Sequence, residues 1–365
     1  MKLSEKTINR IVVRSTNWVG DTVMSVAALR RLRHSFPSAH ITLVARPWAR
    51  DVLMDIALFD NLMLYQRRSV SIFRQIKEWR RHEFDLAVLF QNAFEAALIP
   101  FLARVPLRIG YSTDRRGALL THPLPVPDWR DRNHEVFYYL NIVLQLEALL
   151  GRGGDNASVD LDCSLTVSAT RKSQALERLR AEGLQENRSL IVLCPGSINS
   201  RAKRWPADRY AKLADRLIEE HGAEILLIGS EQETDVATLV RAGMKRRLLD
   251  LTGKTRLAEA VALLSVADLV ISNDTGPAHI AAALGRPTLV IFGPTNPLTT
   301  RPYSSTATVV REPPDCAPCM LRDCPIDHRC MTAISVEEIV SRSVALLAVP
   351  KNETVNSRLK FVTQA

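Results

Sequence analysis

Short β-branched runs alternate with amphipathic segments from one end of the chain to the other. Strands of that kind, three to five residues long and separated by a dozen or more, suit parallel sheets built from βαβ units. In the first half, Ile11-Val12-Val13, Ile41-Thr42-Leu43-Val44 and Leu86-Ala87-Val88-Leu89 read as strands, and Met24 to Leu32 carries helical periodicity. The second half repeats the rhythm at Leu190-Ile191-Val192-Leu193, Ile225-Leu226-Leu227-Ile228, Leu269-Val270-Ile271-Ser272 and Thr288-Leu289-Val290-Ile291-Phe292. Helices are expected over about 133–150, from Tyr210 to a stop at Gly222, and over 335–347.

With 365 residues the chain exceeds one ordinary hydrophobic core and suits two. The glycines and small polar residues of Gly151-Arg152-Gly153-Gly154-Asp155-Asn156-Ala157-Ser158 read as the linker. The expected organisation is therefore an α/β protein of two doubly wound domains, 1–155 and 156–350, with 351–365 as a flexible tail. Ligands of such sheets bind outside the carboxyl ends of the strands, so the two sets of strand ends are expected to face a common cleft.

No apolar run approaches the ~18 residues of a membrane span, and Met1 to Lys6 shows neither the apolar core nor the cleavage site of a signal peptide. A cytoplasmic protein is expected. The net charge of +9, with Arg30, Arg31, Arg33, Arg46, Arg50, Arg67, Arg68, Arg74, Lys77, Arg80 and Arg81 in the first half, favours an anionic partner. Charge alone does not say whether that partner is nucleic acid, an acidic membrane surface or a phosphorylated glycolipid. Four of the six cysteines fall in Cys316-x2-Cys319-x4-Cys324-x5-Cys330. That spacing lets four thiolates meet around one zinc or iron ion, and it is equally open to reduced, unliganded thiols.

Four loops after strands carry residues suited to chemistry. Ser272-Asn273-Asp274-Thr275-Gly276-Pro277-Ala278-His279 joins a strand to a helix: Asp274 or Thr275 can cap, Gly276 admits a close ligand, and Pro277 suits the first turn. Such a helix N-terminus attracts an anion, and His279 can add a donor. Cys194-Pro195-Gly196-Ser197 through Lys203-Arg204-Trp205-Pro206 offers a Gly-Ser turn and a cation able to hold a diphosphate. In Asn17-Trp18-Val19-Gly20-Asp21, Asp21 either caps the helix or faces the cleft as a proton acceptor. In Ile228-Gly229-Ser230-Glu231-Gln232-Glu233, either glutamate can bind the vicinal hydroxyls of a ribose or simply favour a helix start. There is no Walker A sequence, no G-x-G-x-x-G after the first strand and no G-x-S-x-G elbow, which disfavours P-loop NTPases, nicotinamide enzymes and serine hydrolases.

As a set, Trp18-Val19-Gly20-Asp21, Cys194-Pro195-Gly196-Ser197, Ala202-Lys203-Arg204-Trp205-Pro206, Leu251-Thr252-Gly253-Lys254-Thr255, Asn273 to His279 and Phe292-Gly293-Pro294-Thr295 resemble glycosyltransferase family 9, the ADP-heptose:lipopolysaccharide heptosyltransferases. The resemblance spans about Ile11 to Leu347 in order and spacing, and the Asn-Trp-Val-Gly-Asp and Ala-Lys-Arg-Trp-Pro forms favour the heptosyltransferase II subgroup. It implies a GT-B fold, two Rossmann-like domains facing a cleft. The donor, ADP-L-glycero-D-manno-heptose, would lie mainly on the second domain, and the acceptor, Kdo-lipid A or a heptosylated inner core, on the first. By resemblance Asp21 is the base and Lys203 stands by the donor diphosphate. Asp274, Thr275, Gly276 and His279 form the phosphate turn, Ser197 the other phosphate loop, Thr255 lies near adenine, and Glu231 binds the ribose, with Glu233 its competitor. The family inverts configuration, and no metal is required for catalysis. A subset of relatives carries a metal-binding finger, which bears on the cysteine cluster. A lipid-linked acceptor implies peripheral, salt-sensitive attachment to the inner leaflet and no nucleic acid. Two alternatives share these residues: transfer to protein serines or from another nucleotide sugar, and a non-catalytic binder of sugar nucleotides or glycolipids.

Overall fold

The structure is a computed structural model that describes residues 8–65, 69–152, 161–185 and 187–349. Most of the glycine-rich linker, the tail 351–365, and Arg67 and Arg68 lie outside the described residues. The chain divides into two compact units, Met1–Cys163 and Ser164–Ala365.

The first unit holds a six-stranded sheet of β1 (Arg10–Arg14), β2 (His40–Ala45), β3 (Asn61–Leu64), β4 (Leu86–Leu89), β5 (Leu107–Tyr111) and β6 (His122–Leu124), in the order β3-β2-β1-β4-β5-β6. The second holds β7 (Leu190–Cys194), β8 (Glu224–Leu227), β9 (Leu249–Asp250), β10 (Leu269–Asn273), β11 (Thr288–Ile291) and β12 (Ala307–Val310), in the order β12-β11-β10-β7-β8-β9. Every pairing is parallel. Both sheets follow one path: the chain starts in the middle, winds to one edge, returns beside its first strand and winds to the other edge. This is the doubly wound α/β fold expected from the sequence, and its ligand position is the switch point between the first and fourth strands. Here those pairs are β1 with β4 and β7 with β10.

The central strands form where the sequence is most continuously apolar. β4, β7, β10 and β11 are buried along their whole length, as strands covered on both faces must be. Ile11 lies opposite Ile41 and Leu86, and Ile271 opposite Leu193 and Leu289. The strands that sequence periodicity did not reveal are mostly at or near the edges. β3 is half exposed, β9 has two residues, β6 contains Pro123, and β5 is interrupted by Arg108 and Gly110. A strand that buries one face, or little of either, has no need of the β-branched run that marks a central one.

Helix Ala207–His221 places Tyr210, Leu213, Ala214 and Leu217 in the second unit's core, with Ile218 packed against it, and ends at Gly222 in the left-handed region (φ 60°). Helix Glu135–Leu149 and helix Val336–Leu347 fall close to their expected bounds, the latter capped by Ser335. The expected helix at 24–32 is part of a longer path, Val19–Met24 followed by Val26–Ser35, with Ser25 between them bonding back to Asp21 O.

Candidate functional site

In the second unit, the loops that leave β7 and β10 are tied together by one side chain. Asn273, fully buried at the end of β10, donates from Nδ2 to the carbonyls of Pro195 (2.7 Å) and Gly196 (3.2 Å). Its Oδ1 accepts from Trp205 N and from the Tyr210 hydroxyl, both at 3.1 Å. All four side-chain bonding directions of the amide are thereby used inside the protein. Trp205 is fully buried and donates through its indole to Ile334 O, so the Trp-Pro portion of the motif holds the loop in place.

On this frame Lys203 reaches Asp274. Its Nζ lies 2.7 Å from Asp274 Oδ2 and 3.1 Å from Asp274 O. Asp274 is 3% exposed and also accepts from Thr295 Oγ1 at 2.6 Å, while Lys203 keeps a quarter of its side chain in contact with solvent. A buried carboxylate held this way fixes a partly exposed ammonium in one place, as a cation needs to be if it is to meet an anionic ligand. His279 lies beside the pair, its Nε2 3.9 Å from Asp274 Oδ1, too long for a hydrogen bond. Burial pulls its ionisation down to about 4, opposed by Asp274 and reinforced by Lys203, so the ring is neutral at pH 7. Its Nδ1 is buried and has no hydrogen-bond partner among the described residues.

Helix Gly276–Ala283 begins at the same place, with Thr275 in the capping position and Pro277 in its first turn. Thr275 does not cap: its hydroxyl lies 3.3 Å from Asn273 O and from Ser272 Oγ. The sequence offered Asp274 or Thr275 as a cap. Asp274 is engaged with Lys203 and Thr295 instead, leaving the helix N-terminus without a side-chain cap.

Ser197 is buried in the loop after β7, and its carbonyl accepts from Arg204 Nε at 3.2 Å. Gly196 is required there: a Cβ at that position would meet Glu233 Oε1 at 2.0 Å. Glu233 is itself clamped, its Oε2 accepting from Ser230 N and Ser230 Oγ at 2.9 Å in a capping box. Glu231 is exposed, and Thr255 is half-buried in the loop after β9. The two loops touch: Gly253 N donates to Gly229 O at 3.0 Å, with Gly253 in the left-handed region (φ 71°). The structure thus gathers Ser197, Lys203, Asp274, Thr275, Gly276 and His279 at the switch point of the second sheet, with Glu231, Glu233 and Thr255 on loops further along the same edge.

In the first unit Asp21 lies in the first turn of helix Val19–Met24. It is not the cap, a position held by Trp18. The Tyr139 hydroxyl donates to its Oδ1 at 2.8 Å. Glu135, one turn earlier on helix Glu135–Leu149, is held above the usual carboxylate range by burial, with Arg130 lowering it and Asp21 raising it. Arg14, the last residue of β1, is 1% exposed and lies over the Tyr65 ring at 3.8 Å, while Arg46 approaches the same ring at 5.2 Å. Burial lowers Arg14 to about 10. Sequence reasoning singled out neither Tyr139, Glu135 nor Tyr65. Each follows Asp21 by tens of residues in an element of ordinary composition, and only the fold brings them to one edge.

The cysteine cluster requires a correction. Among the described residues no group of three or more His, Cys, Asp or Glu side chains is arranged to hold a metal ion, so the expected structural zinc or iron is not supported. Cys316 and Cys319 are exposed, whereas Cys330 is buried on helix Arg329–Thr332 and belongs to the hydrophobic core. Burial, and then the other three thiols, push Cys330 up to about 11. The segment instead buttresses the Lys203 turn: Arg322 O accepts from Ala202 N at 2.9 Å, and the His328 ring lies 2.6 Å from Ala202 O.

A family model described as "Glycosyltransferase family 9 (heptosyltransferase)" matches residues 72–329. The chain is 32% identical over 318 residues to the lipooligosaccharide heptosyltransferase 2 of Haemophilus ducreyi, covering 83% of this chain and 88% of that protein. It is 30% identical over 318 residues, with the same coverage, to the lipopolysaccharide heptosyltransferase 2 of Salmonella typhimurium. The solved structure of the E. coli ADP-heptose lps heptosyltransferase II superposes with a TM-score of 0.76 at 28% identity, covering 93% of this chain and 98% of that one.

Proposed function

The chain belongs to glycosyltransferase family 9, and from that footing we propose that it transfers L-glycero-D-manno-heptose from ADP-heptose to the Kdo or heptose residues of a lipopolysaccharide inner core, inverting the anomeric centre. The relatives and the superposed structure supply the substrate class through their names. The observation that carries the chemistry is Lys203, fixed by buried Asp274 at the uncapped N-terminus of helix Gly276–Ala283.

In this reading the donor diphosphate takes the Lys203 ammonium and the Gly276 amide, with the neutral His279 ring behind them and the Ser197 loop on its other side. The acceptor hydroxyl gives its proton to Asp21 as its oxygen attacks the anomeric carbon, and the bond to the β-phosphate breaks with its electron pair leaving on ADP. Lys203 and the helix dipole stabilise that charge, so the displacement requires no divalent metal. Thr255 borders the adenine. At the ribose, Glu233 is favoured over Glu231, because its carboxylate is already oriented by Ser230 against the phosphate loop at Gly196. The test supplies ADP-heptose with Kdo-lipid A or its heptosylated form, and reads ADP release and a mass gain of one heptose. Asp21→Asn is expected to lose roughly 10²–10⁴-fold in turnover with ADP binding intact. Near-normal turnover in a folded Asp21→Asn protein would remove the base, and ADP-heptose binding without transfer to either acceptor would make the protein a binder.

No helix among the described residues is long and apolar enough to cross a membrane. We propose peripheral attachment to the cytoplasmic leaflet through helix Ser69–His82, where Phe73 is 79% exposed and Arg74, Lys77, Arg80 and Arg81 are also exposed. Arg80 Nη2 donates to Leu102 O at 2.6 Å, which sets exposed Phe101 and Leu102 beside this face. Aromatic side chains ringed by cations suit an anionic lipid surface. Flotation with anionic vesicles is expected at low salt and lost at high salt, and no flotation at low salt counts against attachment.

A further inference from the structure

We propose that Tyr139 is a positioning residue for the transfer reaction, fixing one oxygen of the Asp21 carboxylate so that the base meets the acceptor hydroxyl in one orientation. The inference rests on the reading of Asp21 as the base. Asp21 sits on a six-residue helix whose capping position makes no side-chain hydrogen bond, and a short element of that kind does little to orient its own side chains. The orientation comes from outside it: the Tyr139 hydroxyl, 118 residues away in sequence, donates to Asp21 Oδ1 at 2.8 Å.

Tyr139 is built to hold still. Its side chain is buried, with Phe90 at 5.8 Å between ring centroids and Tyr138 edge-on at 6.0 Å. Phe90 follows β4 directly, so the ring is seated at the switch point of the first sheet. Burial, and after it the Asp21 and Glu135 carboxylates, push the phenol well above its usual range, so it remains a donor at any working pH. A neutral donor facing a carboxylate favours the ionised form, the one a base requires.

The other charged groups around the pair set the sign of any pH effect. Glu135 and Asp21 each oppose ionisation of the other, and Arg130, 3.7 Å from Glu135, offsets this on the Glu135 side. Asp131 adds a further negative charge near Glu135. Arg31, on helix Val26–Ser35, pairs with Glu147 on the far half of helix Glu135–Leu149. The Tyr139 hydroxyl, donating to Asp21 Oδ1, favours the ionised carboxylate against that opposition. Removing that donor takes away a contact that favours the charged form.

The experiment compares wild type, Tyr139→Phe and the protein carrying 3-fluorotyrosine at position 139, each as the full chain, in the ADP-release assay across pH. Tyr139→Phe keeps the ring and loses only the donor. Its kcat is expected to fall by about tenfold or more with the KM for ADP-heptose unchanged, and the acidic limb of kcat/KM to move up by roughly one pH unit. The fluorinated phenol is a stronger donor and is expected to move that limb down, which decides the matter if Tyr139→Phe does not fold. A purely structural role would reduce the amount of folded enzyme and leave the limb in place. An unmoved limb in the folded variants overturns the proposal. Asp21→Asn run alongside separates the two readings: if it keeps turnover, the base reading has failed, and if it is inactive while Tyr139→Phe behaves as wild type, only the positioning role has failed.

Discussion

His279 sits between a buried carboxylate and a lysine, and burial decides its charge. Its folded ionisation lies at about 4, against an ordinary value of 6.5. Between those limits the unfolded chain binds a proton that the folded chain does not, so stability falls as pH drops from about 6.5 to about 4 and levels off below both values. The term is on the order of 3 kcal/mol. The unfolding free energy of wild type, measured by denaturant titration, should therefore fall more steeply across that window than that of His279→Gln, and equal slopes would show that His279 is not the group responsible. His279, Lys203 and Asp274 were legible because each lies within a short motif on a strand-following loop. The roles of Asn273, quoted in its motif without one, and of Tyr139 were not, since an asparagine that fastens two loops and a tyrosine that fastens a distant aspartate look like any other polar residue until their partners are known.

The loop after β7 is held from three sides, and this makes it sensitive to small changes. Asn273 grips the carbonyls of Pro195 and Gly196, Ser230 grips Glu233, and Glu233 lies on Gly196. In Gly196→Ala the new methyl would meet Glu233 Oε1 at 2.0 Å, and neither side can retreat without giving up hydrogen bonds. The expected cost is about 1–3 kcal/mol of stability, with weaker ADP binding. Adding Glu233→Ala should return most of the stability, because the two losses share one contact. Additive losses in the double variant would show that the clash is not the cause. The Phe292-Gly293-Pro294 stretch is constrained in the same manner: a Cβ on Gly293 would meet Met331 Sδ at 2.4 Å. These glycines stood out in the sequence as motif residues, but their reason, close approach of a side chain from another element, is a property of packing.

Each unit has its own sheet, and the second has a large core of its own in which helices Ala207–His221 and Val336–Leu347 pack on one face of its sheet. Two units of this kind need not unfold together. Calorimetry is expected to resolve two transitions. If the donor binds the second unit as proposed, ADP at a hundred times its dissociation constant should stabilise one of them by about 2.7 kcal/mol and leave the other in place. An equal upward shift of both would mean that ADP is held by both units or that the units unfold as one.

The order of central strands, the helices between them and the loops that carry chemistry follow from local sequence. β-branched runs, turn residues and caps act over a few neighbours and can be read there. The positions of the edge strands, the engagement of Asp274 by Lys203 and Thr295 in place of a cap, the burial of Cys330 in the core and the bond from Tyr139 to Asp21 depend on residues tens to more than a hundred positions apart. Those features were decided by packing, because burial fixes which polar groups must find partners, and the chain supplies the partners only once it has folded.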